Sequence, residues 1–124
     1  MKQLLDTIAA EFTGCKAAVV ITDLPTQGGT WKKFWLILAT LDGAFTRPLL
    51  AVLAPPGQWP VTVDYFHTNP QETTTYKYEF GRDPNDVGQH KLNPPTIDNI
   101  AELERTLRGL LDLAETKLIV ARMS

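Results

Sequence analysis

The sequence predicts an α+β fold, an antiparallel meander of about five strands flanked by an N-terminal helix and a longer C-terminal helix. Apolar residues recur at spacings of three and four at both ends of the chain, whereas the middle holds short β-branched and aromatic runs. Short turns separate these runs, which favours pairing between successive strands. At 124 residues, the chain is predicted to form a single domain spanning 1–124.

The first helix is predicted over residues 2–13, because its apolar side chains fall on one face and Gly14 follows as a stop. Residues 17–24 are mostly apolar and β-branched, and they predict the first strand. Pro25 is expected to end that strand. The residues at 26–30, with their paired glycines, are interpreted as a loop.

The central feature is a hairpin with arms at 31–41 and 45–54, joined by a predicted two-residue turn at Asp42-Gly43. Residues 34–39 and 49–54 are apolar at successive positions, so both faces of these strands should be covered. This register places Pro48 opposite Ile37, where a proline has no N–H to donate. We therefore expect a bulge, a break or an altered turn near Pro48.

The rest of the chain contains two further predicted strands, at 61–67 and 73–80, and then a long loop at 81–95. A helix is predicted to begin after Thr96 as its cap and to run to about Lys117. For residues 118–122 the pattern suits either a helix or a short strand.

Composition excludes several classes of protein. The net charge of −2 argues against tight nucleic-acid binding and against a polybasic membrane contact. Cys15 is the only cysteine, which excludes a disulfide framework within one chain and is typical of a reducing compartment. No apolar run is long enough to span a bilayer. We therefore expect a cytoplasmic protein without a membrane contact, in which Cys15 is a buried and inert thiol.

The pattern also makes a prediction about assembly. If both predicted helices pack on one face of the sheet, as is common in α+β domains, the other face of the central hairpin is apolar and exposed. Large exposed apolar patches usually mark an interface. We therefore expect a symmetric homodimer formed through an apolar sheet face. If the helices instead lie on opposite faces, the monomer alone covers the sheet.

No candidate motif for catalysis or metal binding in the sequence has the residues and spacing that its chemistry requires. Asp64 and His67 are three residues apart on a predicted strand, so their side chains point to opposite faces. The residues at 83–88 depart from the calcium-loop pattern, and a zinc site would need both histidines, His67 and His90, together with carboxylates. No phosphate-binding loop is present in the sequence. The sequence therefore predicts no catalytic residue, no metal ligand and no cofactor, and it does not decide whether the protein is an enzyme.

Candidate binding residues are aromatic or polar and fall in three places. Trp31, Lys33 and Trp35 share one face of a predicted strand, with Arg47 expected nearby, and such interleaved rings and cations can bind single-stranded nucleic acid. Trp59, which lies among prolines at the start of a predicted strand, is either a surface anchor or a lid on the core. The other two candidates, Asp86 and His90, lie in the predicted loop at 81–95. The full set is Trp31, Lys33, Trp35, Trp59, Asp86 and His90.

These observations favour a non-catalytic interaction module that acts as a homodimer and binds a protein through its sheet edge, Trp59 or the 81–95 loop. Two alternatives stay open at this point. One is a small-molecule binder or enzyme with a pocket between sheet and helices, because such pockets leave no local motif. The other is a single-stranded nucleic-acid binder that uses the aromatic and lysine side chains of the sheet.

Overall fold

The computed structural model describes residues 1–69, 73–75 and 96–124. Its elements, in chain order, are α1 (Lys2–Ala10), β1 (Lys16–Thr26), β2 (Gly29–Ala39), β3 (Thr46–Ala54), β4 (Thr62–Phe66), β5 (Thr73–Thr75), α2 (Ile100–Leu111) and α3 (Ala114–Arg122). The predicted α+β class and antiparallel sheet are confirmed. Strand β5 pairs with β4 over only three residues, and the remainder of the predicted strand at 73–80 and the loop at 81–95 lie outside the described residues.

Strands β1 and β2 are joined by a turn rather than by the predicted loop at 26–30. Thr26 pairs with Gly29, so only Gln27 and Gly28 lie between the strands. The Thr26 hydroxyl donates a hydrogen bond to the Gly29 carbonyl across the turn, at 2.6 Å. Pro25 does not end the strand as predicted, because β1 is an edge strand and its outer side needs no N–H donor.

The turn between β2 and β3 is wider than predicted. The Thr40 N–H donates to the Phe45 carbonyl at 3.0 Å, which leaves residues 41–44 between the strands. The Asp42 carboxylate holds this turn by accepting hydrogen bonds from the Thr40 hydroxyl and the Ala44 N–H, at 2.6 and 2.9 Å. The same two hydrogen bonds keep the pKa of Asp42 below its ordinary value.

The expected irregularity at Pro48 is confirmed. Pro48 lies opposite Ile37, but the next pair is Leu50 with Leu36, so Leu49 is an extra residue on β3. A proline opposite a hydrogen-bonding position removes one donor from the sheet, and a bulge is where strands accommodate it.

The C-terminal part of the chain forms two helices, so the prediction of one long helix is wrong. Leu113 is extended (φ −61°, ψ 141°) and separates α2 from α3. Asn99 caps α2 by accepting a hydrogen bond from the Glu102 N–H, whereas Thr96 was the predicted cap. Residues 118–122 lie within helix α3. Ile97 instead forms a short antiparallel bridge with Val61, the residue that precedes β4.

All three described helices pack against one face of the sheet, which we call the helix-covered face. Leu5 and Ile8 of α1, Leu107 of α2 and Ile119 of α3 belong to one buried cluster with strand residues that share this face. The strand residues of that cluster are Phe34, Leu36, Leu38, Leu50, Val52, Ala54, Val63 and Tyr65.

The opposite side of the sheet, which we call the open face, carries the alternate residues of the same strands. They include Ala18, Val20, Thr22, Leu24, Trp31, Lys33, Trp35, Ile37, Ala51, Leu53, Thr62, Asp64 and Phe66. Among the residues that the structure describes, no helix packs on this face. Its central apolar residues, such as Ile37 and Leu53, are half-buried.

Candidate binding surface

The most exposed apolar side chains of the sheet lie along its edge strand, β1. Val20 and Leu24 on the open face are 49% and 40% exposed, and Ile21 on the helix-covered face is 38% exposed. Of the described strands, only β2 pairs with β1, so the outer side of β1 carries unpaired backbone groups. Exposed apolar side chains and unpaired backbone therefore coincide on one strand.

The centre of the open face is shielded by its own side chains. The Trp35 ring stacks on Phe66 with 5.7 Å between ring centroids, and its Nε1–H donates to the Thr22 hydroxyl at 3.0 Å. The Lys33 ammonium lies 4.2 Å from the centre of the Trp35 ring and 3.7 Å from a carboxylate oxygen of Asp64. Small Ala51 lies next to Trp35 in the sheet and is buried. These contacts reduce the apolar area that the middle of the face offers to another molecule.

The same contacts weaken the nucleic-acid alternative. Trp31, Lys33 and Trp35 do share a face, but Lys33 is already close to an anionic group and Trp35 is already stacked. Arg47 pairs with Leu38 and therefore belongs to the helix-covered face, away from these three residues. A strand of nucleic acid would have to displace these existing contacts before it could bind here.

Of the other predicted site residues, Trp59 is half-buried and packs against the core cluster, which agrees with the lid interpretation. Asp86 and His90 lie outside the described residues. Cys15 is buried, and burial raises the pKa of its thiol, as expected for an inert cysteine.

A polar cluster that the sequence analysis missed joins the end of β4 to the start of α3. We call Arg47, Tyr65, His67, Glu115 and Thr116 the junction cluster. Glu115 accepts a hydrogen bond from the Thr68 N–H at 2.7 Å, and its carboxylate oxygens lie 3.2 Å from Nδ1 of His67. Arg47 donates to the backbone carbonyls of Phe66 and His67 at 3.0 and 2.7 Å.

The surroundings of the junction cluster shift the pKa values of Glu115 and Arg47. Burial acts to raise the pKa of Glu115, but hydrogen bonds from the Thr68 N–H and His67 outweigh it, so the pKa lies below its ordinary value. Burial lowers the pKa of Arg47, which nonetheless remains a cation at neutral pH. A carboxylate next to an imidazole can orient a general base, but here both side chains also fix the end of a strand to a helix.

A groove of about 520 Å³ lies between α1, α2 and α3. Its apolar lining includes Ile8, Phe12 and Val120. At its rim, Arg108 lies 3.0 Å from Glu11 and 3.2 Å from Glu104, and these two carboxylates raise the pKa of Arg108. The groove is open to solvent, and its Arg108 is already paired with Glu11 and Glu104, so it does not form the enclosed polar site that the small-molecule alternative needs.

The described residues contain no group of three or more His, Cys, Asp or Glu side chains that could hold a metal ion. No described helix is both long and apolar enough to cross a bilayer. Comparisons with protein-family models, curated proteins and solved structures find no match to this chain.

Proposed function

We propose that this chain is a non-catalytic protein-interaction module that acts as a homodimer. One observation carries the proposal: all the described helices pack on one side of the sheet, and exposed apolar side chains remain on the other side and along the edge. Burying apolar area contributes about 25 cal/mol per Å², so such surfaces favour association. Two-fold dimers are the commonest assemblies of soluble proteins.

The location that we propose is the cytoplasm. Cys15, the single cysteine of the chain, is a buried thiol, and a reducing compartment keeps thiols in that state. In this proposal the protein partner binds at the open face of the sheet, on which Trp31 lies.

Light scattering over a range of protein concentrations tests the homodimer. We expect a species with twice the 13.8 kDa mass of the chain, and a dissociation constant at or below about 10 μM. A chain that remains monomeric at about 1 mM would contradict the proposal, because that concentration is about a hundredfold above the highest dissociation constant expected.

Two matched variants test where the interface lies. Val20→Glu places a charge on an exposed position of β1 and should weaken the dimer at least about tenfold. Leu41→Glu changes a more exposed apolar residue in the β2–β3 turn and should leave the dimer unchanged. Leu36 and Leu50 are unsuitable for this test, since both are buried under the helices and a glutamate there would unfold the chain.

A further inference from the structure

The edge strand β1 lacks the features that usually prevent edge strands from pairing with other chains. Proteins protect such edges with charges, prolines, bulges or short strands. Strand β1 is 11 residues long, and it pairs with β2 without a register shift. Residues 17–22, in its middle, are Ala, Ala, Val, Val, Ile and Thr, with no charge and no proline.

Protection is confined to the two ends of this strand. Pro25 has no N–H to offer a new neighbour, and Asp23 lies 3.4 Å from the Lys32 ammonium of β2. At the other end stands Lys16, which is exposed. The segment that can accept a further strand is therefore 16–24, and Val20 is its midpoint.

We propose that two copies of this chain pair through β1, antiparallel, with Val20 on the two-fold axis, so that the two sheets become continuous. This inference rests on the proposed homodimer and specifies its geometry. A two-fold axis normal to the sheet keeps the helix-covered faces of both copies on the same side. Each residue then pairs with the residue equally far from Val20 on the second copy: 16 with 24, 17 with 23, 18 with 22, and 19 with 21.

The occupant of this edge is a second copy because the segment complements itself. In this register the exposed Val20 meets its own copy on the open face. On the helix-covered face, the exposed Ile21 lies opposite the half-buried Val19 of the second copy. No like charges face each other, since Lys16 meets a leucine and Asp23 meets an alanine. The register uses every residue before Pro25, whereas moving the axis to Ile21 would place Pro25 within the pairing.

Disulfide trapping tests the register directly, and the burial of Cys15 makes an added cysteine the only accessible one. Val20→Cys places two thiols opposite each other across the axis, where paired residues are about 4.5–5.5 Å apart between Cα atoms. That spacing permits a disulfide, so mild oxidation should convert most of the protein into a covalent dimer. The matched control is Ala18→Cys on the same face: its two copies would lie roughly 14 Å apart, too far for a bond.

Leu24→Glu distinguishes edge pairing from packing of two open faces. In edge pairing, the new carboxylate lies opposite Lys16 of the second copy, and the dissociation constant should stay within about fivefold of wild type or become tighter. In face-to-face packing, the same carboxylate would be buried against apolar side chains and the dimer would dissociate.

The outcomes separate the two proposals. A wild-type dimer in which Val20→Cys fails to crosslink and Leu24→Glu dissociates would overturn edge pairing and leave the homodimer standing. A wild-type monomer would overturn both. Crosslinking by Ala18→Cys instead of Val20→Cys would overturn the register. Circular dichroism of each variant establishes that the chain is folded before the result is read.

Discussion

The hydroxyl of Thr116 shows how single groups hold the helices to the sheet. Its one proton is donated to the Leu110 carbonyl at 2.6 Å, near the C-terminal end of α2. The Tyr65 hydroxyl, 2.6 Å away, must therefore be the donor in the bond between the two hydroxyls. Both side chains are buried.

Because Tyr65 is the donor to Thr116, we expect different losses of unfolding free energy for variants of these two residues. Tyr65→Phe removes one hydrogen bond and leaves Thr116 with its Leu110 partner, so it should cost about 1 kcal/mol of unfolding free energy. Thr116→Val keeps the shape but leaves both the Tyr65 hydroxyl and the Leu110 carbonyl without this partner, at roughly 2–3 kcal/mol. Urea unfolding measures both. Equal costs for the two variants would contradict the assigned direction.

Glu115 should make the stability depend on pH in acid. Because its folded pKa lies below the ordinary value of 4.5, the carboxylate stabilises the fold above that pH, and the contribution is lost as pH falls through the folded pKa. Glu115→Gln should therefore cost about 1 kcal/mol at pH 7, since the side chain is partly exposed, and almost nothing near pH 2. Urea unfolding at several pH values measures this difference, and a cost independent of pH would argue against it.

At the scale of elements, the β1–β2 turn depends on one backbone conformation. Gly29 has a φ of +121°, which side-chain-bearing residues rarely adopt, and a Cβ atom there would lie 2.9 Å from Cγ of Pro56. Gly28, its neighbour, has open space, with nothing closer than 4.0 Å to such an atom. The two glycines look equivalent in the sequence and differ in the fold.

Alanine at each glycine should separate these roles. Gly29→Ala should lower the unfolding free energy by roughly 2 kcal/mol, from backbone strain and the contact with Pro56. Gly28→Ala, the matched control, should change it by less than about 1 kcal/mol. Thermal unfolding at a fixed protein concentration compares them. A larger loss at position 28 would mean that the turn differs from the one described.

The apolar periodicity of the sequence predicted where helices and strands lie. It did not predict the helix ends that depend on contacts of individual side chains. The apolar stripe from Ile97 to Leu118 is continuous, so nothing in its spacing indicates the break at Leu113. Thr116 lies after this break and forms a hydrogen bond with Tyr65, 51 positions away in the sequence. Pro48 was predictable because a missing N–H is a local property, and the bulge beside it followed.

In the candidate site, too, the sequence predicted which residues share a face but not which residues contact one another. Strand alternation was enough to place Trp31, Lys33 and Trp35 on one face. The contacts of Lys33 and Trp35 with Asp64, Phe66 and Thr22 depend on the register of the strands, which the alternation does not determine. The pairing of His67 with Glu115 spans 48 positions and has no local signature.

For the whole molecule, dimerisation couples stability to concentration. A native dimer that unfolds to separate chains becomes more stable as protein is added, so the midpoint of thermal unfolding should rise by about 2–4 °C for each tenfold increase in concentration. At protein concentrations below its own, higher dissociation constant, Val20→Glu should be monomeric and should melt at a midpoint that does not change. Scanning calorimetry at several concentrations measures both proteins. An invariant wild-type midpoint would count against a dimer.

Each described strand pairs with the strand next to it in the chain, and β1 and β2 are joined by two residues. The sheet therefore has low contact order, and folding proteins of that kind close only small loops before they gain native contacts. Isolated β-hairpins form in about 1–10 μs, so we expect β1 and β2 to pair before the more distant bridge between Val61 and Ile97 closes. In that order of events, the outer side of β1 is available for intermolecular pairing before the C-terminal helices have docked.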